Sequence, residues 1–356
     1  MKVGILTIID NNNYGNRLQN YAVQSILQKL NNEVYTIINY PFLNSKKNYI
    51  LRKIKWKLKK KTKLVNFARK DNFEKFNCNI LYFQKNITAY SFKKNFDYVL
   101  AGSDQVWNPN FGRLRDVDLL CFVKPEKRVA FSASFGVNDI PEKMKKHVGK
   151  SLKSFKAISV REDAGKKIVE KLTGRTDVKV LIDPTMMLTA DEWDKVSKKP
   201  TMLKTDRYIL NYFLGNLSDE RRKEINRVAK ENNCEVINIL DKESPFYECG
   251  PSEFLYLEKN AFLICTDSFH SSVFGILYNT PFLVFEREDD NVSMNSRLDT
   301  LLSKFKLDDR RYKGKITKKD LKCDYTEAYT ILDKERIKSM NFLKNALDIK
   351  DSDKNE

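Results

Sequence analysis

The sequence predicts an α/β protein of two doubly wound domains facing a cleft, and three observations carry that expectation. Apolar runs of strand length, at 261–265 and 281–285, are continuous rather than alternating. Such runs mark strands covered on both faces, as in a parallel sheet. Strand-like and helix-like stretches alternate in two blocks, one ending near residue 185 and the next starting near Arg207. The length, 356 residues, is too great for one ordinary core and suits two.

The elements follow in order. A strand over 2–9 leads into the polar loop DNNNYG at 10–15. A helix over 16–30 comes next, with Leu18, Tyr21, Ala22, Ile26, Leu27 and Leu30 at helical spacing. No GxGxxG is present, so Gly15 is no dinucleotide fingerprint. The loop fits either a ligand loop over a helix N-terminus or a generic strand-to-helix turn. A second strand covers 33–39. Residues 45–70 hold twelve Lys and Arg, with no acid before Asp71. There Ile50, Leu51, Ile54 and Leu58 share one helical face. That fits a basic helix resting on anionic lipid, or a solvated helix packed over the sheet edge. Phe67, Phe73 and Phe76 continue the helical period.

The strand at 96–101 ends in GSDQVWNP (102–109). Gly102 and Ser103 allow close backbone approach to a ligand. Asp104 falls at the sheet's ligand edge, with Trp107 as a core anchor on the plainer reading. A strand at 128–134 and a helix at 141–155 follow, the helix carrying His147 among surface lysines. A strand at 157–160 leads to Arg161 at a strand-to-helix junction, where a guanidinium can clamp an anion. A helix to 172 and a strand at 178–182 end the first block, and Asp183-Pro184-Thr185 marks the join.

The second block reads as strand 207–213, helix 218–231, strand 235–240 and helix 253–259. A strand at 261–265, the turn Thr266-Asp267-Ser268, a helix at 269–279 and a strand at 281–285 follow. All three turn residues are good helix caps. His270, one of two histidines in the chain, therefore falls in the first turn of a helix just past a strand end. Ligands of open α/β sheets bind there, and the free N–H groups and helix dipole suit an anion. A structural histidine capping the turn fits the same position. After a charged loop at 286–291, residues 293–297 lead into a helix to 305. A final helix over 325–348 and the tail DSDKNE complete the chain. The expected division is a Rossmann-like domain at 1–185 with a basic helical excursion at 45–77, a second Rossmann-like domain at 186–324, and a C-terminal helix and tail at 325–356. That helix is expected to cross back to the first domain.

Lys and Arg number 65 against 47 Asp and Glu, a net charge of +18. This implies an anionic partner: nucleic acid, an anionic membrane surface or a phosphorylated ligand. The six cysteines form no CxxC, and no Cys/His cluster has metal-ligand spacing. No leader is recognised, and no apolar run reaches about 18 residues. These features predict a cytoplasmic protein with reduced thiols and no bound metal.

Taken together the motifs resemble the polysaccharide pyruvyl transferase family. The matching pieces are GILTIIDNNNYGNRLQNYAVQSIL (4–27), VLAGSDQVWNP (99–109), SVRED (159–163), LIDPTMML (181–188), GPSEFLYL (250–257), TDSFHSSVFGILYNTPFLVF (266–285) and NSRLDTLL (295–302). They run in family order over nearly the whole chain. The resemblance implies a GT-B-like pair of Rossmann-type domains, with the acceptor on the first and the donor on the second. It implies transfer of pyruvate from phosphoenolpyruvate to two hydroxyls of a sugar in a cell-surface polysaccharide or glycolipid precursor, forming a ketal and releasing phosphate. The family's Arg-x-His motif reads Ser268-Phe269-His270 here, so the histidine is kept and the arginine is not. Either another cation replaces it, with Arg161 and Arg297 as candidates, or the donor differs.

The chemistry narrows the roles. An enol phosphate becomes a ketal when a proton reaches its methylene carbon, the adjacent cationic carbon is stabilised, and a hydroxyl loses its proton as it attacks. His270 is the candidate acid, made competent when a bound anion raises a pKa that the helix start would lower. Asp104 is the candidate base or hydroxyl acceptor. Donor contacts are assigned to Arg161, Ser268, Asp267 and Arg297, and acceptor contacts to Asn12, Asn16, Gln19, Ser103 and Gln105. This chemistry needs no metal or cofactor beyond phosphoenolpyruvate as donor substrate. A basic surface suits an acceptor on a lipid pyrophosphate at the inner membrane face, with peripheral contact through 45–70. A GT-B-type glycosyltransferase using a nucleotide sugar is the alternative enzyme. A basic nucleic-acid-binding module is the non-enzyme alternative, although no recognised nucleic-acid motif organises the basic residues.

Overall fold

The computed structural model describes residues 1–37, 62–83, 95–288 and 295–350. Most of the basic stretch at 45–70, including Ile50, Leu51, Ile54 and Leu58, lies outside them, as do Ser293, Met294 and the tail 351–356.

Two all-parallel sheets form. The first has seven strands in the order β3-β2-β1-β4-β5-β6-β7, namely β1 Lys2–Leu6, β2 Glu33–Ile37, β3 Tyr82–Phe83, β4 Tyr98–Ala101, β5 Arg128–Ala133, β6 Ala157–Val160 and β7 Lys179–Val180. The second has four in the order β11-β10-β8-β9, namely β8 Tyr208–Tyr212, β9 Glu235–Asn238, β10 Leu263–Thr266 and β11 Phe282–Val284. The central strands β4, β5, β8 and β10 are buried almost throughout, as their apolar runs require. Strand order reverses between β1 and β4 in one sheet and between β8 and β10 in the other. Those two switch points are where an open α/β sheet leaves a crevice for a ligand.

The helices that matter most to the site start at these crevices. Helix α1 (Tyr14–Lys29) begins beyond β1, with Asn13 as its N-cap accepting from the Asn16 N–H. Helix α2 (Thr62–Asn77) carries the Phe73 and Phe76 period into the core. Helices α3 (Glu142–Lys153) and α4 (Asp163–Thr173) flank the first sheet, with His147 of α3 half exposed against Asp116. A short helix α5 (Ala190–Asp194), not legible in the sequence, is opened by a Thr189/Glu192 capping box. Helices α6 (Asp219–Glu231) and α7 (Pro251–Asn260) precede α8 (Phe269–Leu277), which starts directly after β10. Helix α9 (Asn295–Phe305) and the last helix, α10 (Thr326–Ala346), follow. The predicted strand at 178–182 shrinks to two paired residues, because Asp183 turns away to serve the site instead.

The two sheets share one continuous apolar core. Its joint is the Tyr14 ring, stacked on Phe73 at 5.2 Å and on Phe254 at 4.5 Å, with Tyr212 edge-on. The buried guanidinium of Arg69 lies over Tyr14, Phe73 and Tyr247 and donates to the carbonyls of Asn12, Tyr247 and Cys249. One side of the cleft is therefore fastened shut. Helix α10 crosses back as expected: Arg336 donates to the carbonyls of Met186 and Leu188, and Phe342 stacks on Phe131 of β5.

Candidate active site

Both switch points open onto one cavity of about 340 Å³, within the usual range for a small-molecule site. From the first half come Ile8, Asp10, Asn13, Asn16, Asp104, Gln105, Phe111 and Arg113. From the second come Tyr212, Leu214, Ser268, Phe269, His270, Arg287 and Arg297.

His270 stands at the meeting point. Ser268 is the N-cap of α8, makes no side-chain cap bond and lines the cavity. The His270 ring presses on the first turn of α1, where a methyl group on Gly15 would fall 2.0 Å from Nδ1. Two helix N-termini thus converge on one imidazole, each bringing free N–H groups and the positive end of a dipole. Among the described residues no hydrogen bond reaches Nε2, and Asp183 Oδ2 lies 3.8 Å from it. Burial lowers the imidazole to about 4. The Asp183 and Asp104 carboxylates pull it up, while Arg161 and Arg297 push it down. His270 is neutral at pH 7 with the cavity in this state.

Asp104 sits in the left-handed region at φ 72°, a conformation Asp tolerates better than most residues but still an uncommon one. Its carbonyl accepts from the N–H groups of Val106 and Ser134, which hold the turn. Its carboxylate accepts from Asn16 Nδ2 at 3.0 Å and lies 3.7 Å from Arg161. Burial alone would raise its pKa, but Arg161, His270, Asn16 and Arg297 together hold it below the ordinary range. Asp104 is therefore an ionised acceptor near neutral pH.

Arginines form the opposite wall. Burial, reinforced by the charge of Arg161, lowers Arg297 to about 10. The Gln105 amide lies against Arg297, and with its oxygen turned that way it accepts from Nη2 at 3.0 Å and Nη1 at 3.2 Å. Arg287 lies 3.2 Å from Asp267, whose carboxylate also accepts from the N–H groups of Leu214 and Gly215. Arg113 faces this wall from the first half, paired with Asp118.

The structure brings together His270, Asp104, Ser268, Arg297, Asn16 and Gln105 of the residues singled out in the sequence. Five others do not line the cavity. Arg161 is spent on Asp183 and Asp104 and packs its guanidinium on the Phe269 ring. Asp267 lies behind Ser268 as the post that holds Arg287. Gln19 donates to Thr7 and to the Asn16 carbonyl under the cavity floor. Ser103 donates to Asp183 in the same buried layer. Asn12 points its side chain outward, with its carbonyl fixed by Arg69. Arg287, Arg113, Asp183 and Phe111 were missed. The available signal for Arg287 was its place directly after a parallel strand, at the edge where ligands bind.

A paired set of parallel sheets with one cavity across both switch points defines a GT-B-like fold. A glycosyltransferase from Rickettsia africae shares it with a TM-score of 0.51 and 12% identity, over 97% of this chain and 98% of that one. A provisionally assigned UDP-N-acetylglucosamine 2-epimerase from Listeria monocytogenes does so with a TM-score of 0.50 and 12% identity, over 96% of this chain and 90% of that one. No curated protein matches the sequence. The sequence model of the polysaccharide pyruvyl transferase family matches residues 13–289, and the chain belongs to that family. Among the described residues no helix is long and apolar enough to cross a membrane.

Proposed function

We propose that the protein transfers pyruvate from phosphoenolpyruvate onto two hydroxyls of a sugar in a cell-surface polysaccharide or glycolipid precursor. One observation carries the reading. A neutral, buried histidine lies between two helix N-termini, beside Arg287 and Arg297. That is a site for a small ligand of high negative charge. Arg287 also supplies a cation next to Ser268, where the family's arginine would stand.

Donor carboxylate and phosphate bind against Arg287, Arg297 and the helix starts, and their charge raises the His270 pKa so that it takes up a proton. His270 gives that proton to the methylene carbon, leaving a cationic carbon that the enol phosphate oxygen stabilises. A sugar hydroxyl attacks this carbon, and its proton passes to the cavity's acceptors, Asp104 foremost. Loss of phosphate regenerates a cationic carbon, the second hydroxyl closes the ketal, and its proton leaves on the phosphate, while the first proton passes from Asp104 back to the histidine or to water. Asp183 lies within reach of the imidazolium in the charged state and steadies it.

The test is incubation with a sugar acceptor and either donor, with the leaving group measured. Inorganic phosphate released from phosphoenolpyruvate is expected. Nucleoside diphosphate from a nucleotide sugar, with phosphoenolpyruvate inert, would replace this reading with a glycosyltransferase. A lipid-pyrophosphate acceptor is part of the same proposal. Neutralising several lysines between Lys53 and Lys63 should then weaken binding to anionic vesicles, and unchanged binding would remove the membrane contact.

A further inference from the structure

The cavity has an apolar rim that no step above uses. Phe111 is 56% exposed and Leu214 is 44% exposed, yet both line this one cavity, Phe111 from the first half and Leu214 from the second. The backbone beneath each is held. Phe111 ends a one-turn 3-10 helix, Pro109–Phe111, which Asn108 caps through the Asn110 N–H and which Gly112 closes in the left-handed region at φ 64°. Asn108 itself is buried. The Leu214 N–H donates to Asp267 Oδ1 at 2.7 Å. The segment that carries Asp104 and Gln105 therefore also presents an aromatic side chain to solvent at the mouth, on a held backbone.

An apolar rim around a polar, charged floor fits a ligand with one apolar and one polar side. A pyranose is such a ligand: its axial C–H groups make an apolar face, and its hydroxyls ring the edge. We propose that Phe111, backed by Leu214 across the mouth, is the platform on which the acceptor sugar ring lies, with its reacting hydroxyls directed toward Asp104 and His270. This assignment rests on the reading of the cavity as a sugar-acceptor site. It makes Phe111 a binding residue for the acceptor and not for the donor, whose contacts lie on the arginine wall.

The test uses the full chain and a panel of methyl pyranosides of glucose, galactose, mannose and N-acetylmannosamine, with inorganic phosphate present to fill the anion site. Saturation-transfer NMR and titration give contact protons and dissociation constants for the wild type, Phe111→Ala and Phe111→Trp. At least one pyranoside is expected to receive saturation on one ring face. Phe111→Ala should raise its dissociation constant about five- to tenfold through lost apolar contact, Phe111→Trp should retain it, and phosphate affinity should not move. Unchanged pyranoside binding in Phe111→Ala, no pyranoside bound by the wild type, or a selective loss of uridine monophosphate binding would each overturn the platform. The last would make Phe111 a nucleobase shelf. Phosphate release from phosphoenolpyruvate is read separately. Pyranoside binding lost in Phe111→Ala, without any such release by the wild type, would retire pyruvyl transfer and leave the sugar platform standing. Normal release with unchanged sugar binding would retire the platform alone.

Discussion

Gly15→Ala is the sharpest perturbation of the site, because two effects of the added methyl oppose each other and the structure decides between them. Gly15 lies in the first turn of α1, and an interior helical Gly→Ala change favours folding by up to about 1 kcal/mol. Against this, the new Cβ would lie 2.0 Å from Nδ1, 2.3 Å from Cγ and 2.5 Å from Cε1 of His270. Ordinary contact starts near 3.4 Å, so the ring must retreat by about 1.4 Å or α1 must lift. The ring cannot retreat freely, since Phe269 packs edge-on to it at 5.3 Å and Asp183 lies 3.8 Å from Nε2. Overpacking of this kind costs about 1–3 kcal/mol, which outweighs the helical gain. A reacting group displaced by about 1 Å loses about a hundredfold in rate. Gly15→Ala should therefore lower phosphate release from phosphoenolpyruvate by about two orders of magnitude and lower the denaturation midpoint. In a His270→Ala background the methyl has room, and Gly15→Ala should become neutral or stabilising, a coupling that a double-mutant cycle in denaturant reads directly. Wild-type turnover in Gly15→Ala, or an equal destabilisation in both backgrounds, would refute the placement of His270 against α1.

Other perturbations separate the remaining parts. His270→Gln should fold and lose turnover. It should also flatten the acid limb of stability: the unfolded chain protonates this histidine below about 6.5, whereas the folded one holds out to about 4. Stability is then full above that upper pKa and falls as pH drops through the window, by up to about 3 kcal/mol. An unchanged slope between these pH values would show that the buried imidazole is not the group responsible. Arg287→Ala should raise the donor KM about ten- to a hundredfold by removing a charge-assisted contact, with Arg287→Lys recovering part of it. Folding should hold, because Asp267 keeps its bonds from Leu214 and Gly215. A donor KM unmoved in Arg287→Ala would reassign the cation beside Ser268. Arg69→Met should cost about 3 kcal/mol by stranding buried carbonyls at the joint between the sheets, read by urea titration, and a loss under about 1 kcal/mol would show that the aromatic stack alone fastens the cleft.

What the sequence made legible follows the physics of each element. Buried parallel strands announce themselves by apolar runs, so β4, β5, β8 and β10 are legible with their ends placed to within two residues. His270 was found for a related reason, since a capping cluster directly after such a run fixes a helix start at a ligand edge. The two-residue strand β3 carries too few residues for any period and was missed. The division of labour among charged residues was less legible. Arg161 and Arg297 look alike in sequence, each near a helix start. Only the fold shows that Asp183 and Asp104 neutralise the first while the second faces the cavity. Gln19 and Asn16 are one helical turn apart, and a single turn separates a residue in the cavity from one beneath it. Asp183 looked like punctuation at the join between blocks. Its role as the carboxylate beneath His270 depends on contacts more than eighty residues away, which no local pattern records.

The arrangement of charge across the cavity explains why the site is built from both halves rather than one. Asp10 and Asp104 come from the first half, together with Arg113, which Asp118 pairs, while Arg287, Arg297 and His270 come from the second. A donor carrying carboxylate and phosphate is repelled from the first wall and drawn to the second, while neutral hydroxyls are accepted by the first. On the proposed reaction the donor would bind chiefly at Arg287 and Arg297 and the acceptor hydroxyls at Asp104, with His270 as the acid between them. Ionised Asp104 helps keep a histidine between two helix starts able to accept a proton. Arg161, locked to both Asp104 and Asp183, limits that help, so the imidazole stays neutral until the donor adds its own charge. On this account proton uptake at His270 is coupled to anion binding. Calorimetry of phosphate binding in buffers of different ionisation enthalpy should show net proton uptake at pH 7 that vanishes in His270→Gln. Binding without proton exchange would mean that the anion occupies the arginine wall alone and that the histidine is not yet an acid when the donor arrives.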